Sequence, residues 1–198
     1  MRRVALFVED FAHEEFMTAW VQRFSRETGV PVELHPYSVR GGYGRAIQEL
    51  GQFVQDVHQA GEAWPDLLVV ALDANCQGYN QRRGEIETVI GELSFRVVLA
   101  VPDPHIERWL LLDSAAFKSV LRKGCEAPDR KCDRDRYKKL LAQAVSQTGV
   151  APSIGGIEHA RDIVEAMDVS RMTHKGADKS LGRFIQELQK VFKDWSRS

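Results

Sequence analysis

The chain has 198 residues, with 27 Lys and Arg against 28 Asp and Glu, a formal net charge of −1 and a pI near 6.6. This balance excludes a protein that is drawn to nucleic acid by its overall field, so any such contact requires a local basic patch. With 43% hydrophobic residues, the chain is long enough for one compact core with a small helical appendage.

The first half of the chain alternates predicted strands and helices. Arg3–Val8 is a short apolar run typical of a buried parallel strand. Apolar residues then recur at helical spacing from about His13 to Thr28, and Gly29 ends that helix. Val32–Val39 alternates with a period of two and contains a proline, which favours an edge strand. A glycine-rich loop and a second helix, running from Ile47 to about Gly61, follow.

The strongest strand signal is Leu67–Leu72, followed by a helical pattern over residues 79–93 and a fourth strand at Phe95–Val101. This βαβ order predicts an α/β fold with a mostly parallel four-stranded Rossmann-like sheet and helices on both faces. Residues 1–113 are expected to form that core. Residues 114–198 are expected to form a mostly helical extension packed on it, with a final amphipathic helix around Phe184 and Val191.

Acidic residues follow three of the four predicted strands. Glu9 and Asp10 end the first strand, Asp73 follows the third and Asp103 follows the fourth. Because ligands bind outside the carboxyl ends of parallel strands, these carboxylates are candidates for one site. Their mutual repulsion would be relieved by a divalent cation, and an oxygen-rich donor set favours Mg²⁺ or Mn²⁺. Helix capping is an alternative role, and it is favoured for Asp10 and Asp103.

Several segments resemble the Toprim domain shared by topoisomerases, bacterial primases and overcoming-lysogenization-defect nucleases. The segment Val8-Glu9-Asp10-Phe11-Ala12-His13-Glu14-Glu15-Phe16 is similar to the Toprim opening Val-Glu-Gly-x-Thr-Glu-Glu-x-Phe, and Leu72-Asp73-Ala74-Asn75 resembles the Asp-x-Asp element. The segment Ile106-Glu107-Arg108-Trp109-Leu110-Leu111-Leu112-Asp113 and the later Ser180-Leu181-Gly182-Arg183-Phe184 resemble motifs of small Toprim-like proteins that are often encoded beside ATPases.

The resemblance implies a metal-dependent nuclease or related phosphoryl-transfer enzyme that acts on DNA or RNA, with an ATPase partner in defence against foreign DNA. Glu9, Asp73 and Glu107 would be the catalytic acids, and Glu9, Asp73, Asn75 and Asp103 would hold the metal. Asn75 stands where the family has a second aspartate, which removes a charge from the site. The alternative is therefore a degenerate, noncatalytic Toprim-like regulatory or binding subunit.

Basic residues near the predicted site are candidates for phosphate contacts. Arg40 and Arg45 flank the glycine-rich loop, Arg82 and Arg83 follow the third strand, and Lys175 lies in a basic segment near the C-terminus. The alternative for the segment with Arg40 and Arg45 is a plain flexible turn, and the alternative for the segment with Arg82 and Arg83 is a solvated loop that leads into the next helix. His13 and His105 lie near the predicted crevice and could shuttle protons, although structural roles are the default for both.

The N-terminus and the cysteines favour a cytoplasmic protein. Glu9 and Asp10 interrupt the first apolar run too soon for a secretory signal, and no run approaches the roughly 20 apolar residues of a membrane span. Three cysteines are too few, and odd in number, for a disulfide framework. We therefore expect free thiols at Cys76, Cys125 and Cys132.

Overall fold

The computed structural model describes residues 1–39, 41–59, 65–133 and 135–198, and the side chain of His58 is not described. Within these ranges the strands are β1 (Arg2–Val8), β2 (Val32–Ser38), β3 (Leu67–Ala71) and β4 (Arg96–Ala100). The helices are α1 (Phe11–Thr28), α2 (Tyr43–Gln59), α3 (Tyr79–Ile90), α4 (Ile106–Leu110), α5 (Ser114–Leu121), α6 (Arg136–Ser146), α7 (Ala160–Ala166), α8 (Val169–Met172) and α9 (Lys179–Trp195). No described helix has the combination of length and apolar composition that crossing a bilayer requires.

The described strands form one parallel sheet in the order β2-β1-β3-β4. The predicted α/β fold with a four-stranded parallel sheet and flanking helices is confirmed. The chain runs outward from β1 to β2 and then returns to β3 on the other side of β1. The strand order therefore reverses between β1 and β3, and such a switch point opens a crevice at the carboxyl ends of the two strands.

Side chains of β1 alternate between two hydrophobic clusters, as the two-residue period of a strand requires. Val4, Leu6 and Val8 belong to the cluster that contains α1 residues, whereas Ala5 and Phe7 belong to the cluster that contains α2 residues. Both faces of the sheet are thus covered. This burial explains why β1 and β3 consist of nearly unbroken apolar residues.

The C-terminal helix α9 shares the first of these clusters with the sheet. Leu181, Phe184, Ile185 and Leu188 are fully buried in it, together with Trp20 of α1. Residues from both sides of the predicted boundary at 113 therefore contribute to one continuous core.

Element boundaries differ from the predictions mainly at helix starts. Helix α1 begins at Phe11 because the Asp10 side chain caps it, and it ends where Gly29 adopts a left-handed φ of 68°. Helix α2 begins at Tyr43, so Arg45 lies in its first turn rather than in the predicted loop. The predicted end of this helix at Gly61 lies outside the described residues.

Candidate metal centre

A cavity of about 280 Å³ opens at the switch point, beyond the carboxyl ends of β1 and β3. Its walls include Glu9 from the end of β1, Asp73 from the end of β3 and Glu107 from α4. Parallel pairing sets this arrangement, because Val8 lies opposite Ala71 in the register and the residues that follow each strand emerge at the same edge.

Glu9 and Asp73 are directly linked. The backbone N–H of Asp73 donates a hydrogen bond of 3.0 Å to Oε2 of Glu9. Burial raises the pKa of Glu9 above its ordinary value, and the charge of Asp73 raises it further. The two acids therefore lie close together, as predicted, and they concentrate negative charge in a partly desolvated part of the site.

His13 lies inside the acid cluster and is completely buried. Its Nδ1 is 2.8 Å from Oδ1 of Asp10, and its Nε2 is 3.0 Å from Oδ1 of Asp73. Burial alone would lower the pKa of His13, but the charge of Asp73 and the hydrogen bonds with Asp10 and Asp73 raise it well above the ordinary value. The two carboxylates therefore favour the protonated form of the His13 ring, in which each nitrogen can donate to one of them.

His105 contacts the other oxygen of Asp73, with 2.9 Å between Nδ1 and Oδ2. Backbone hydrogen bonds place it there, because Ala74 and Asn75 donate to the carbonyls of Pro102 and Pro104 and extend the β3–β4 pairing beyond the strands. Burial would raise the pKa of Asp73, but the charge of His13 and the hydrogen bonds from both histidines lower it. Asp73 is thus ionised and oriented by two imidazoles.

Glu107 is 2% exposed and also lines the cavity. Burial raises its pKa, and the charge of Asp73 adds to the shift. Among the described residues, its Oε1 lies 3.9 Å from Nζ of Lys138, and its Oε2 has no hydrogen-bond partner. Buried carboxylate oxygens are rarely left in this state unless something else binds them.

Glu9, His13 and Asp73 can hold a metal ion. Each offers one ligand atom, and the three atoms lie within 4.8 Å of one another. Metal-ligating histidines commonly donate one ring N–H to a carboxylate and present the other nitrogen to the metal. In His13, Nδ1 contacts Asp10 as in that arrangement, whereas Nε2 contacts Asp73, and an ion bound between these two groups would replace that second hydrogen bond. The raised pKa of Glu9 also fits a site that a cation would neutralise.

Asn75 and Asp103, two further predicted ligands, have different positions. Asn75 lines the cavity with a left-handed φ of 51°, and its Nδ2 donates to the backbone carbonyl of Asp73 at 3.3 Å. Asp103 is not among the cavity walls, and its Oδ2 forms an ion pair with Nη1 of Arg130 at 3.2 Å. The side chain of Asp103 thus faces Arg130, in the loop that precedes α6.

Cys76 and Cys132 form a disulfide, so the expectation of free thiols at these positions is wrong. The two residues are 56 positions apart, with Cα atoms 5.3 Å from each other. Both line the cavity, and the bond ties the turn after Asp73 to the segment before α6. Cys125 is a free thiol, as expected. Counting cysteines could not reveal the bond, because only folding brings the two segments together.

The basic residues predicted to contact nucleic acid differ in their exposure to solvent. Arg82 is 5% exposed, with its guanidinium 3.2 Å from the centre of the Tyr43 ring, and Arg83 pairs with Glu187. Arg45 and Lys175 are exposed, and Arg45 pairs with Glu49 on the same helix. Arg40 lies outside the described residues. Contacts of Arg45 and Lys175 with a strand stay predictions, whereas Arg82 and Arg83 are held by interactions within the fold.

Two segments that carry the Toprim-like resemblance, around Trp109 and around Ser180, contact each other beside this site. Nε1 of Trp109 donates to Oγ of Ser180 at 3.0 Å, and the Trp109 ring stacks on Phe184 with 5.6 Å between centroids. Arg108 pairs with Asp178 at 2.6 Å. These contacts fix α4 against the start of α9 and thereby hold Glu107 at the cavity.

Comparison of the chain with protein-family profiles, curated proteins and solved structures gives no match. The site is therefore interpreted from its geometry. Sequence reasoning gave a structural default to His13 and His105 and missed Lys138 of α6. A signal existed for His13, because it lies four residues after Glu9 in the first turn of a predicted helix. Lys138 had no comparable signal within its charged segment.

Proposed function

We propose that the protein is a divalent-metal-dependent phosphodiesterase that acts on nucleic acid. The observation that carries the proposal is the convergence of the ligand atoms of Glu9, His13 and Asp73 within 4.8 Å at the switch point of the sheet. Glu9 and Asp73 line the cavity there together with His105, Glu107 and Lys138, whereas His13 is buried behind its wall. A metal site with adjacent acid, base and cationic groups is suited to the hydrolysis of a phosphate ester.

The proposed ion is Mn²⁺ or Mg²⁺, held by Glu9, His13 and Asp73. Carboxylates suit both ions, but an imidazole ligand favours Mn²⁺, the softer of the two. When bound, the ion would polarise a phosphate oxygen and lower the pKa of a water molecule. Asp10 would hold the His13 ring in position through the 2.8 Å contact to Nδ1.

His105 is the proposed proton carrier. Asp73 holds its Nδ1, and its Nε2 makes no hydrogen bond with any residue in the described part of the chain. A carboxylate that fixes one imidazole nitrogen leaves the other to exchange a proton with an attacking water or a leaving oxygen. The position of His105 in the cavity wall, with the side chain 19% exposed, leaves it within reach of a substrate.

Lys138 is the proposed phosphate contact. Its side chain is 60% exposed and its Nζ approaches Glu107 at the cavity. A flexible ammonium group at the entrance of an otherwise acidic cavity would attract a phosphate and offset the repulsion from the carboxylates.

The resemblance to Toprim domains supports the same chemistry through Glu9 and Asp73. The proposal accordingly retains DNA or RNA as substrate, and an ATPase partner in defence is proposed on the resemblance alone. Exposed Arg45 and Lys175 are proposed to add electrostatic contacts to the strand.

One observation favours a second candidate, a noncatalytic Toprim-like binding subunit. Both carboxylate oxygens of Asp73 already contact imidazole nitrogens, at 3.0 Å from His13 and 2.9 Å from His105. Two histidines could neutralise Asp73 without a metal ion. Together with Asn75 in place of a second aspartate, this would leave a fold that binds a strand without cleaving it.

A cleavage assay separates the two candidates. Plasmid, single-stranded DNA and RNA are incubated with the wild type and with Glu9→Gln, Asp73→Asn and Asp103→Asn in Mn²⁺ or Mg²⁺. The enzyme proposal requires metal-dependent cleavage that falls by at least about 100-fold in the first two variants. Asp103→Asn is the matched control, because it alters a strand-end acid that lies outside the cavity, and it should retain most activity.

Equal rates in all four proteins, or no cleavage by any of them, would contradict the enzyme proposal. Strand binding without cleavage by the wild type would support the noncatalytic candidate.

A further inference from the structure

A second cavity, of about 260 Å³, adjoins the metal centre. The two cavities share Asp10, Glu107 and Lys138 as walls, so a ligand at the metal centre would extend past these side chains into the second space. We call this second cavity the alcove. Its remaining walls are mainly apolar and come from the start of α1 and from the segment that leads into α7: Phe11, Ala12, Ile154, Gly155 and Ile157.

Two of the exposed large hydrophobic side chains of the described residues line the alcove. Phe11 is 47% exposed and Ile154 is 53% exposed. Single exposed apolar residues are ordinary on a protein surface. An aromatic ring and a branched aliphatic side chain that line one cavity beside a candidate catalytic centre instead form a surface suited to a flat apolar ring.

The shared wall supplies a polar group to the same space. Glu107 is 2% exposed, and its Oε2 has no hydrogen-bond partner among the described residues. A carboxylate oxygen of this kind can accept an N–H from the exocyclic amine of a nucleobase. Lys138 stands in the wall between the two cavities, where it can contact a phosphate that lies between a base and the metal centre.

We propose that the alcove binds the nucleobase attached to the sugar next to the scissile phosphate. This inference deepens the proposed function and rests on it, since it assigns the phosphate to the metal centre. The base contacts Phe11 and Ile154 through its faces and Glu107 through an amine. The substrate class that follows is a nucleotide unit whose base is unstacked from its neighbours, as in single-stranded nucleic acid or a strand end.

The test measures binding of fragments, so it does not depend on cleavage. Adenosine 5′-monophosphate, ribose 5-phosphate and inorganic phosphate are titrated calorimetrically into the full chain in the presence of Mn²⁺. The base should tighten binding of the nucleotide over ribose 5-phosphate by about 10-fold or more, the size typical of one base stacked on an aromatic side chain.

Phe11→Ala should remove this preference and leave the affinity for ribose 5-phosphate unchanged. Ile154→Ala should reduce the preference, and Val150→Ala should not, because Val150 is a 39% exposed apolar residue that is not among the alcove walls. Circular dichroism and thermal melting verify that each variant is folded, which is expected since each altered side chain is at least 39% exposed.

Equal affinity for the nucleotide and ribose 5-phosphate, no binding of the nucleotide, or a preference that survives Phe11→Ala would each overturn the inference. Its failure is distinguishable from failure of the proposed function. Metal-dependent cleavage combined with no base preference contradicts only the alcove, whereas a base preference combined with no cleavage contradicts only the phosphodiesterase.

Discussion

Nε2 of His13 lies 3.0 Å from Oδ1 of Asp73, although the two residues are 60 positions apart in the chain. His13 has no solvent exposure, so this imidazole is part of the interior of the acid cluster. The contact adds a nitrogen donor to the site that the strand-end acids form. Glu9, Asp73 and His13 therefore form a mixed donor set, in which a bound cation would have two carboxylate ligands and one imidazole ligand.

The first prediction concerns metal affinity. Asp10→Asn should weaken Mn²⁺ binding by about 10- to 100-fold, because Asp10 orients His13 from behind rather than contacting the ion. Asparagine also caps helices well, so the N-terminal cap of α1 should be retained. Calorimetric titration of Mn²⁺ measures the affinity, with Asp103→Asn as the control. An unchanged affinity in Asp10→Asn would show that His13 is not a ligand.

The second prediction concerns the disulfide. Cys132→Ser should lower the free energy of unfolding by about 2–4 kcal/mol, because the bond closes a loop between positions 56 apart. Cys125→Ser, which removes the free thiol, should have a much smaller effect. Urea unfolding with and without dithiothreitol gives the measurement. Coincident curves under the two conditions would mean that the bond does not form or does not contribute.

The third prediction concerns stability at low pH. Asp178 caps α9 and pairs with Arg108, and both side chains are less than one-tenth exposed. Burial would raise the pKa of Asp178, but hydrogen bonds from Ser180 and Arg108 lower it below the ordinary 3.8. Because the folded-state pKa is the lower one, the contribution of Asp178 is fully present above the unfolded value and is lost as the pH falls through the folded value.

Asp178→Asn should therefore destabilise the protein by about 3 kcal/mol at pH 7, since it leaves the buried Arg108 charge unpaired. The difference from the wild type should shrink as the pH falls below 3.8. Urea unfolding measures this difference in the free energy of unfolding over roughly pH 2–7, a range that includes the titration of carboxylates. Asp168→Asn, the same change at the exposed cap of α8, is the control. A constant difference at all pH values would contradict this account.

The fourth prediction concerns the approach of α8 to α9. A Cβ added at Gly182 would lie 2.9 Å from the backbone carbonyl oxygen of Met172, which cannot move independently of its helix. Gly182→Ala should thus destabilise the protein by about 1–3 kcal/mol despite the better helix propensity of alanine. Gly84→Ala in α3 is the matched control, because a Cβ there meets nothing within 4 Å.

Gly84→Ala should stabilise the protein by about 0.5–1 kcal/mol. Thermal and urea unfolding of both variants provide the comparison. A Gly182→Ala variant as stable as Gly84→Ala would show that the two helices can separate without loss.

The convergence of Glu9 and Asp73 was predictable from the sequence. Each follows an apolar run, and neighbouring parallel strands deliver the residues after them to one edge of the sheet. Asp103 follows β4 in the same way, yet its side chain pairs with Arg130 instead. Strand order fixes where a residue emerges, but the direction of its side chain depends on the partner that the fold supplies.

The sequence by itself determined the α/β class, the parallel sheet and the two acids at its switch point. These features depend on local periodicity, which a chain carries in the order of its residues. Only the tertiary structure decided that His13 and His105 flank Asp73, that Cys76 bonds to Cys132 and that Lys138 reaches Glu107. Each of these contacts joins residues at least 31 positions apart in the chain. Such contacts depend on how buried side chains pack in the folded protein, which local periodicity does not specify.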